Sequence, residues 1–85
     1  MTLAANTIRV LLFGYYRDLA GKGEIQFDLP TGVRVDDLVA VIRSDPSFAE
    51  LPSTPAVAVN RRYAPGNQVL SSNDEIALIP PLSGG

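Results

Sequence analysis

A chain of 85 residues, 46% hydrophobic and 19% charged, has room for one small core, and without cysteine or histidine it excludes thiol nucleophiles, disulfides, imidazole bases and ordinary zinc sites. Seven Lys and Arg against nine Asp and Glu give a net charge of −2, which argues against non-specific binding to nucleic acid or an anionic membrane. Apolar runs such as Val10–Phe13 are far too short to span a bilayer, and Met1–Asn6 lacks the regions of a signal peptide, so a soluble, cytoplasmic protein is expected.

The stretch from Ile8 to Gly14 is rich in β-branched and large apolar residues and reads as a strand. Parity puts Ile8, Val10 and Leu12 on one face and Arg9, Leu11 and Phe13 on the other, so Phe13 is expected to point outward. Tyr15 to Gly23, with glycines on both sides of Lys22, reads as a hairpin-like connection. Glu24 to Leu29 alternates polar and apolar residues without a break, giving a strand with Ile25, Phe27 and Leu29 on the core face. Val35, Leu38, Val39 and Ile42 then fall at helical spacing, with Asp36 and Asp37 in the first turn and Arg43 in the last, as the helix dipole favours. Arg34 is a poor N-cap, so the cap is expected from Thr31 or water.

Asp45-Pro46 stops the helix, and three prolines stiffen the following loop, which has room for a helical turn near Phe48 to Leu51. Further strands are expected at Ala56–Asn60, Gln68–Leu70 and Glu75–Ile79, separated by turns at Arg61–Gly66 and Ser71–Asp74. In the last strand Ile76 and Leu78 take the inner face, which leaves Ile79 beside Phe13 as an outward apolar residue. This order predicts an α+β fold: a mixed five-stranded sheet with one main helix packed on it, the β-grasp arrangement. The strand after the helix is expected to lie parallel to a neighbour, and the last strand to join the first. Residues 1–80 form the single domain, and 81–85 a flexible tail.

Few constellations suggest chemistry within the fold. Gly14 and Gly21-Lys22 superficially resemble a phosphate loop, but six residues intervene where four are needed, Gly23 replaces the Ser or Thr, and no helical pattern follows. Adjacent carboxylates at Asp36-Asp37 point about 100° apart on a helix and cannot converge on one atom. They and Asp74-Glu75 read as a helix start and a turn. Arg61-Arg62-Tyr63 is too small a cluster for nucleic-acid recognition and fits a solvated turn or a contact to a protein. Phe13 and Ile79, on strands that should be neighbours, form the nucleus of a protein-binding patch, with Tyr63 as a third member.

The last six residues, Pro80-Pro81-Leu82-Ser83-Gly84-Gly85, are the sharpest feature. Two prolines favour an extended exit and prevent the sheet from continuing. Pro81 to Gly85 can reach about 15–18 Å, and two residues without Cβ can thread a narrow channel and leave the terminal carboxylate unhindered.

Ile8–Gly14 followed by Arg17-Asp18-Leu19-Ala20-Gly21, with Val59-Asn60, Asp74-Glu75-Ile76-Ala77 and the Pro-Pro-x-x-Gly-Gly ending, resembles the small subunit of molybdopterin synthase, from about Ile8 to Gly85. The thiamine-pathway sulfur carrier and ubiquitin share the β-grasp fold and Gly-Gly end, but that carrier is usually shorter and lacks the Arg17 segment. The resemblance implies a sulfur carrier that binds no metal and no cofactor. An ATP-dependent adenylating partner would activate the Gly85 carboxylate, and a sulfur donor protein would convert it to a thiocarboxylate. Pro81, Leu82, Ser83 and Gly84 would thread into the large synthase subunit of a heterotetramer, whose side chains do the catalysis. Phe13 and Ile79 match apolar positions the family turns toward partners, and Tyr63 falls near a third. Carriage of sulfur to thiamine or tRNA thiolation, or a ubiquitin-like modifier, are the alternatives.

Overall fold

The structure, a computed structural model, describes residues 5–49, 51–52 and 55–81. In chain order the elements are β1 (Ala5–Leu12), α1 (Gly14–Ala20), β2 (Glu24–Pro30), α2 (Val35–Arg43), a 3₁₀ turn (Pro46–Phe48), β3 (Ala56–Val59), β4 (Arg62–Tyr63) and β5 (Ile76–Ile79). They form one mixed sheet in the order β2-β1-β5-β3-β4. β5 joins β1, as expected from the sequence, and does so in parallel, with Leu12 opposite Leu78. β3, by contrast, is antiparallel to both its neighbours: the segment between β4 and β5 carries the chain back, so the strand parallel to β1 is the last one. Among the described residues no helix is long and apolar enough to cross a membrane.

The inner face follows the alternation of the sequence. Ile8, Val10 and Leu12 of β1, Val57 and Val59 of β3, and Ile76 and Leu78 of β5 are buried against Val35, Leu38, Val39 and Ile42 of α2. Each such side chain contributes about 1.5–3 kcal/mol relative to remaining exposed. The N-terminus of α2 is satisfied otherwise than expected: the loop of residues 66–68 lies across it, where Gln68 O accepts from Val35 N–H at 3.0 Å and Gly66 O from Asp36 N–H at 2.9 Å. Asp37 Oδ2 accepts from Arg34 N–H at 2.9 Å, so an acidic third residue compensates for an arginine that cannot cap.

The connection after β1 is a helix, not a hairpin-like link. Gly14, at φ +51°, turns the chain out of the sheet, and Phe13 O accepts from Tyr16 N–H at 3.1 Å. Gly21, at φ +74°, ends α1 in the left-handed conformation, its N–H donating to Arg17 O at 2.9 Å. Tyr16 anchors this two-turn helix in the core, with Leu19 and Ala20 on the same face.

The strand beyond β3 is Arg62–Tyr63, whereas Gln68–Leu70 stays outside the sheet. Val69 makes one bridge to Arg34, and Leu70 is buried from a loop, its N–H donating to Val33 O at 2.8 Å. The β3–β4 hairpin turns through Asn60 and Arg61, at φ +54° and +70°, the paired left-handed geometry of a tight two-residue hairpin. Arginine is strained there and its pair with Glu75 is solvated, with the Arg61 side chain 86% exposed. Arg61→Gly is therefore expected to stabilise the fold by about 0.5–1 kcal/mol, read from the urea midpoint.

Candidate docking face and tail exit

Strand register builds the outer face. Leu11 of β1 stands opposite Ala77 of β5, Ala77 opposite Ala58 of β3, and Ala58 opposite Tyr63 of β4, which puts all four in one row. The next row carries Ala56 opposite Ile79, with Phe13 one residue beyond the Leu12–Leu78 pair. Phe13 is 48% exposed and Tyr63 76% exposed, while Ile79 is half-buried. The two alanines have too little bulk to fill the space between these larger side chains. A depression of about 320 Å³ results, floored by Ala58 and Ala77, walled by Phe13, Tyr63 and Ile79, and edged by Arg61 and Glu75. Arg61 Nε and Glu75 Oε2 are 3.6 Å apart. Large apolar side chains around a small-residue floor, beside an exposed ion pair, suit a protein partner that inserts an apolar side chain of its own.

All three partner residues expected from the sequence thus meet in one place. Sequence reasoning missed the alanine floor and the Arg61–Glu75 edge, because only the register of three strands brings them together. Toward the chain exit the face continues into a second groove of about 380 Å³, which shares Ile79 and Tyr63 and adds Tyr16, Pro52, Pro55, Pro80 and Pro81. Pro81 is exposed at the end of the described chain. Leu82, Ser83, Gly84 and Gly85, the rest of the expected threading and reacting segment, lie outside the described residues.

The remaining sequence features have structural work. Gly21 caps α1, and Lys22 and Gly23 lead into β2 with no helix behind them, which leaves no phosphate loop. Asp37 caps α2. Asp74 ties two loops together, Oδ1 accepting from Asn60 Nδ2 at 3.0 Å and Oδ2 from Ser71 N–H at 2.8 Å. Burial pushes the Tyr16 phenol above its ordinary value of 10.0, and the neighbouring Tyr15 adds to the rise. A raised phenol favours the folded state fully below pH 10.0, and that contribution disappears as pH climbs through the raised pKa. Tyr16→Phe is accordingly expected to lose less stability than the parent between about pH 8 and pH 11, measured by urea unfolding at each pH.

The ThiS family model matches residues 10–85. Over 81 residues the chain is 38% identical to the molybdopterin synthase sulfur carrier subunit of Chlamydomonas reinhardtii, covering 92% of this chain and 98% of that one. A putative molybdopterin converting factor subunit 1 from Pyrococcus furiosus superposes with a TM-score of 0.80 at 30% identity, covering 91% of this chain and 99% of that one. Subunits 1 and 2 of a Helicobacter pylori molybdopterin-converting factor have been solved as a complex. Its matching chain has a TM-score of 0.67 at 22% identity, covers 93% of this chain and 99% of that one, and so bears on the fold alone. The family match runs from β1 to Gly85, the sequence likeness to the Chlamydomonas reinhardtii subunit covers nearly all of both chains, and the fold superposes on the Pyrococcus furiosus protein, so the chain belongs to the ThiS family, among its molybdopterin synthase sulfur carrier subunits.

Proposed function

We propose that this chain carries sulfur on its own C-terminus and delivers it, within a molybdopterin synthase, to the pterin precursor of the molybdenum cofactor. The observation that carries the reading is the placement of an apolar docking face directly beside the exit of a Pro-Pro-x-x-Gly-Gly tail. Docking and reaction are thereby separated: the sheet holds the partner and the tail enters its active site.

A carboxylate is a poor electrophile. In an adenylating enzyme seated on the docking face, the Gly85 carboxylate attacks the α-phosphate of ATP, releasing pyrophosphate and giving an acyl-adenylate in which AMP is a good leaving group. A donor protein then delivers sulfur at the sulfide level, which attacks the Gly85 acyl carbon; the acyl–phosphate bond breaks, AMP departs, and Gly85 bears a thiocarboxylate. With the large synthase subunit on the same face, Leu82 to Gly85 carry this sulfur to the precursor, where it displaces an oxygen substituent from a carbon; water then cleaves the acyl–sulfur bond, leaving one dithiolene sulfur on the precursor and returning Gly85 to a carboxylate. The chain has neither cysteine nor histidine, and the catalytic side chains belong to the partners. The 38% identity to a molybdopterin synthase sulfur carrier subunit, itself one subunit of a synthase, supports a large-subunit partner.

The discriminating experiment incubates thiocarboxylated protein with a large synthase subunit and the pterin precursor. Formation of molybdopterin is expected. A thiocarboxylate that forms but leaves the precursor unchanged would favour a carrier for thiamine or tRNA thiolation, and amide-linked conjugates to other proteins would favour a modifier.

A further inference from the structure

The direction in which a tail leaves a sheet depends on how its last strand is stopped. β5 lies between β1 and β3, so the chain following Ile79 is flanked on both sides. One step past the Ala56–Ile79 pair, the β3–β5 register sets Pro80 opposite Pro55. Neither proline has an N–H to donate, so the ladder ends on both strands at the same level. On the other flank Pro80 lies beside Gly14, close enough that a side chain at 14 would meet its ring: a Cβ there would stand 3.5 Å from Pro80 Cγ. Gly14 is itself fixed at φ +51° by the turn from β1 into α1. Pro80 is half-buried, whereas Pro81 is exposed. The ring at 80 is therefore seated between the start of α1 and the Pro55 end of β3, and the ring at 81 is free of the seat.

We infer that this seat is a positioning device for the tail. Pro80, held between Gly14 and Pro55, sets the bearing of the chain at Pro81, and so the approach of the terminal carboxylate to an enzyme docked on Phe13, Tyr63 and Ile79. This deepens the reading of Gly85 as the activated terminus and rests on it. The geometry favours such a role because Ile79 and Tyr63 belong to both the docking depression and the exit groove, so a partner on the face lies next to the seat. A swivelling residue at position 80 would leave docking intact and spread the carboxylate over many directions, lowering its concentration at the reacting atoms. Pro80 touches none of those atoms; it acts through the direction it imposes.

The test compares the full chain with Pro80→Gly and Pro81→Gly in ATP–pyrophosphate exchange catalysed by the adenylating enzyme, with kcat and KM for the carrier read separately. For Pro80→Gly, kcat is expected to fall about tenfold, with KM within about twofold of the parent. Pro81→Gly, which loosens the chain without emptying the seat, is expected to lose clearly less. Equal losses would overturn the seat in favour of general tail stiffness, and an unchanged kcat, or a rise in KM alone, would overturn it outright. Should Pro80→Gly lower the melting temperature by more than about 5 °C, Pro80→Ala decides by the same kinetic criteria. Absence of exchange with the parent chain would instead contradict the Gly85 reading, and the seat's role with it.

Discussion

Removal of Gly85 is expected to abolish sulfur loading while leaving the fold intact. The shortened chain still ends in glycine, Gly84, so the chemistry and steric openness of its terminus are unchanged. What changes is reach, by about 3.5 Å. Attack and adenylation need reacting atoms within about 3–3.5 Å of each other, so a carboxylate that stops one residue short loses on the order of 10²-fold or more in rate. Among the described residues the core ends at Leu78 and the ladder at Ile79. The melting temperature of the shortened chain is therefore expected to match the parent by calorimetry or circular dichroism, while mass spectrometry finds no sulfur on it. A parallel loss of melting temperature would mean that the tail holds the domain together.

The second large effect is expected from Phe13→Arg. Phe13 forms a wall of the depression and is 48% exposed, so its ring contributes little to the core it stands outside. A guanidinium placed there would be desolvated by any partner that covers the alanine floor, without a carboxylate to meet it within that floor. Loss of about 2–4 kcal/mol of binding is expected, roughly 30- to 1,000-fold in Kd for either the adenylating enzyme or the large subunit. Folding stability should change by less than about 1 kcal/mol. Titration calorimetry with the partner and urea unfolding of the free chain separate the two quantities, and a collapsed fold with unchanged partner affinity would make Phe13 a core residue.

Much of this architecture can be read along the chain where one face of an element is buried and the other wet. Ile8, Val10 and Leu12 alternate with Arg9, Leu11 and Phe13, and the same parity that fills the core puts Phe13 on the outer face of the sheet. The stripe of Val35, Leu38, Val39 and Ile42 gives α2 with its bounds nearly correct. α1 escapes notice because its buried face consists of Tyr16, Leu19 and Ala20, one aromatic with a polar end and two residues only partly covered. Two turns offer no longer period to detect. β4 escapes because its turn uses Asn60-Arg61, where the strong signal for paired left-handed residues would be Asn-Gly. Gln68–Leu70 looks like a strand since Leu70 is buried, yet its backbone partners are Val33 and Val35 at the entrance to α2 rather than a strand.

The site divides along the same line. Phe13 and Ile79 follow from parity within single strands, whereas the floor of Ala58 and Ala77 depends on which strands are neighbours and in what register. Two alanines carry no chemical signal by themselves. The seat of Pro80 against Gly14 similarly joins residues at opposite ends of the sequence, and only the parallel β1–β5 pair brings them together. Its function as a carrier, by contrast, is written in the last residues, where composition alone suggests an extended, unhindered terminus. Lack of cysteine and histidine fits the proposed carriage, in which the sulfur is acquired on a carboxylate and the catalytic groups belong to the partners.

The most direct measurement is the intact mass of the chain, with fragmentation to locate any change, after incubation with the adenylating enzyme, ATP and a sulfur donor. The account predicts a gain equal to the replacement of one oxygen by sulfur, confined to Gly85 and dependent on ATP. An unmodified Gly85 under conditions in which the enzyme is active on another carrier, or sulfur found elsewhere on the chain, would contradict it.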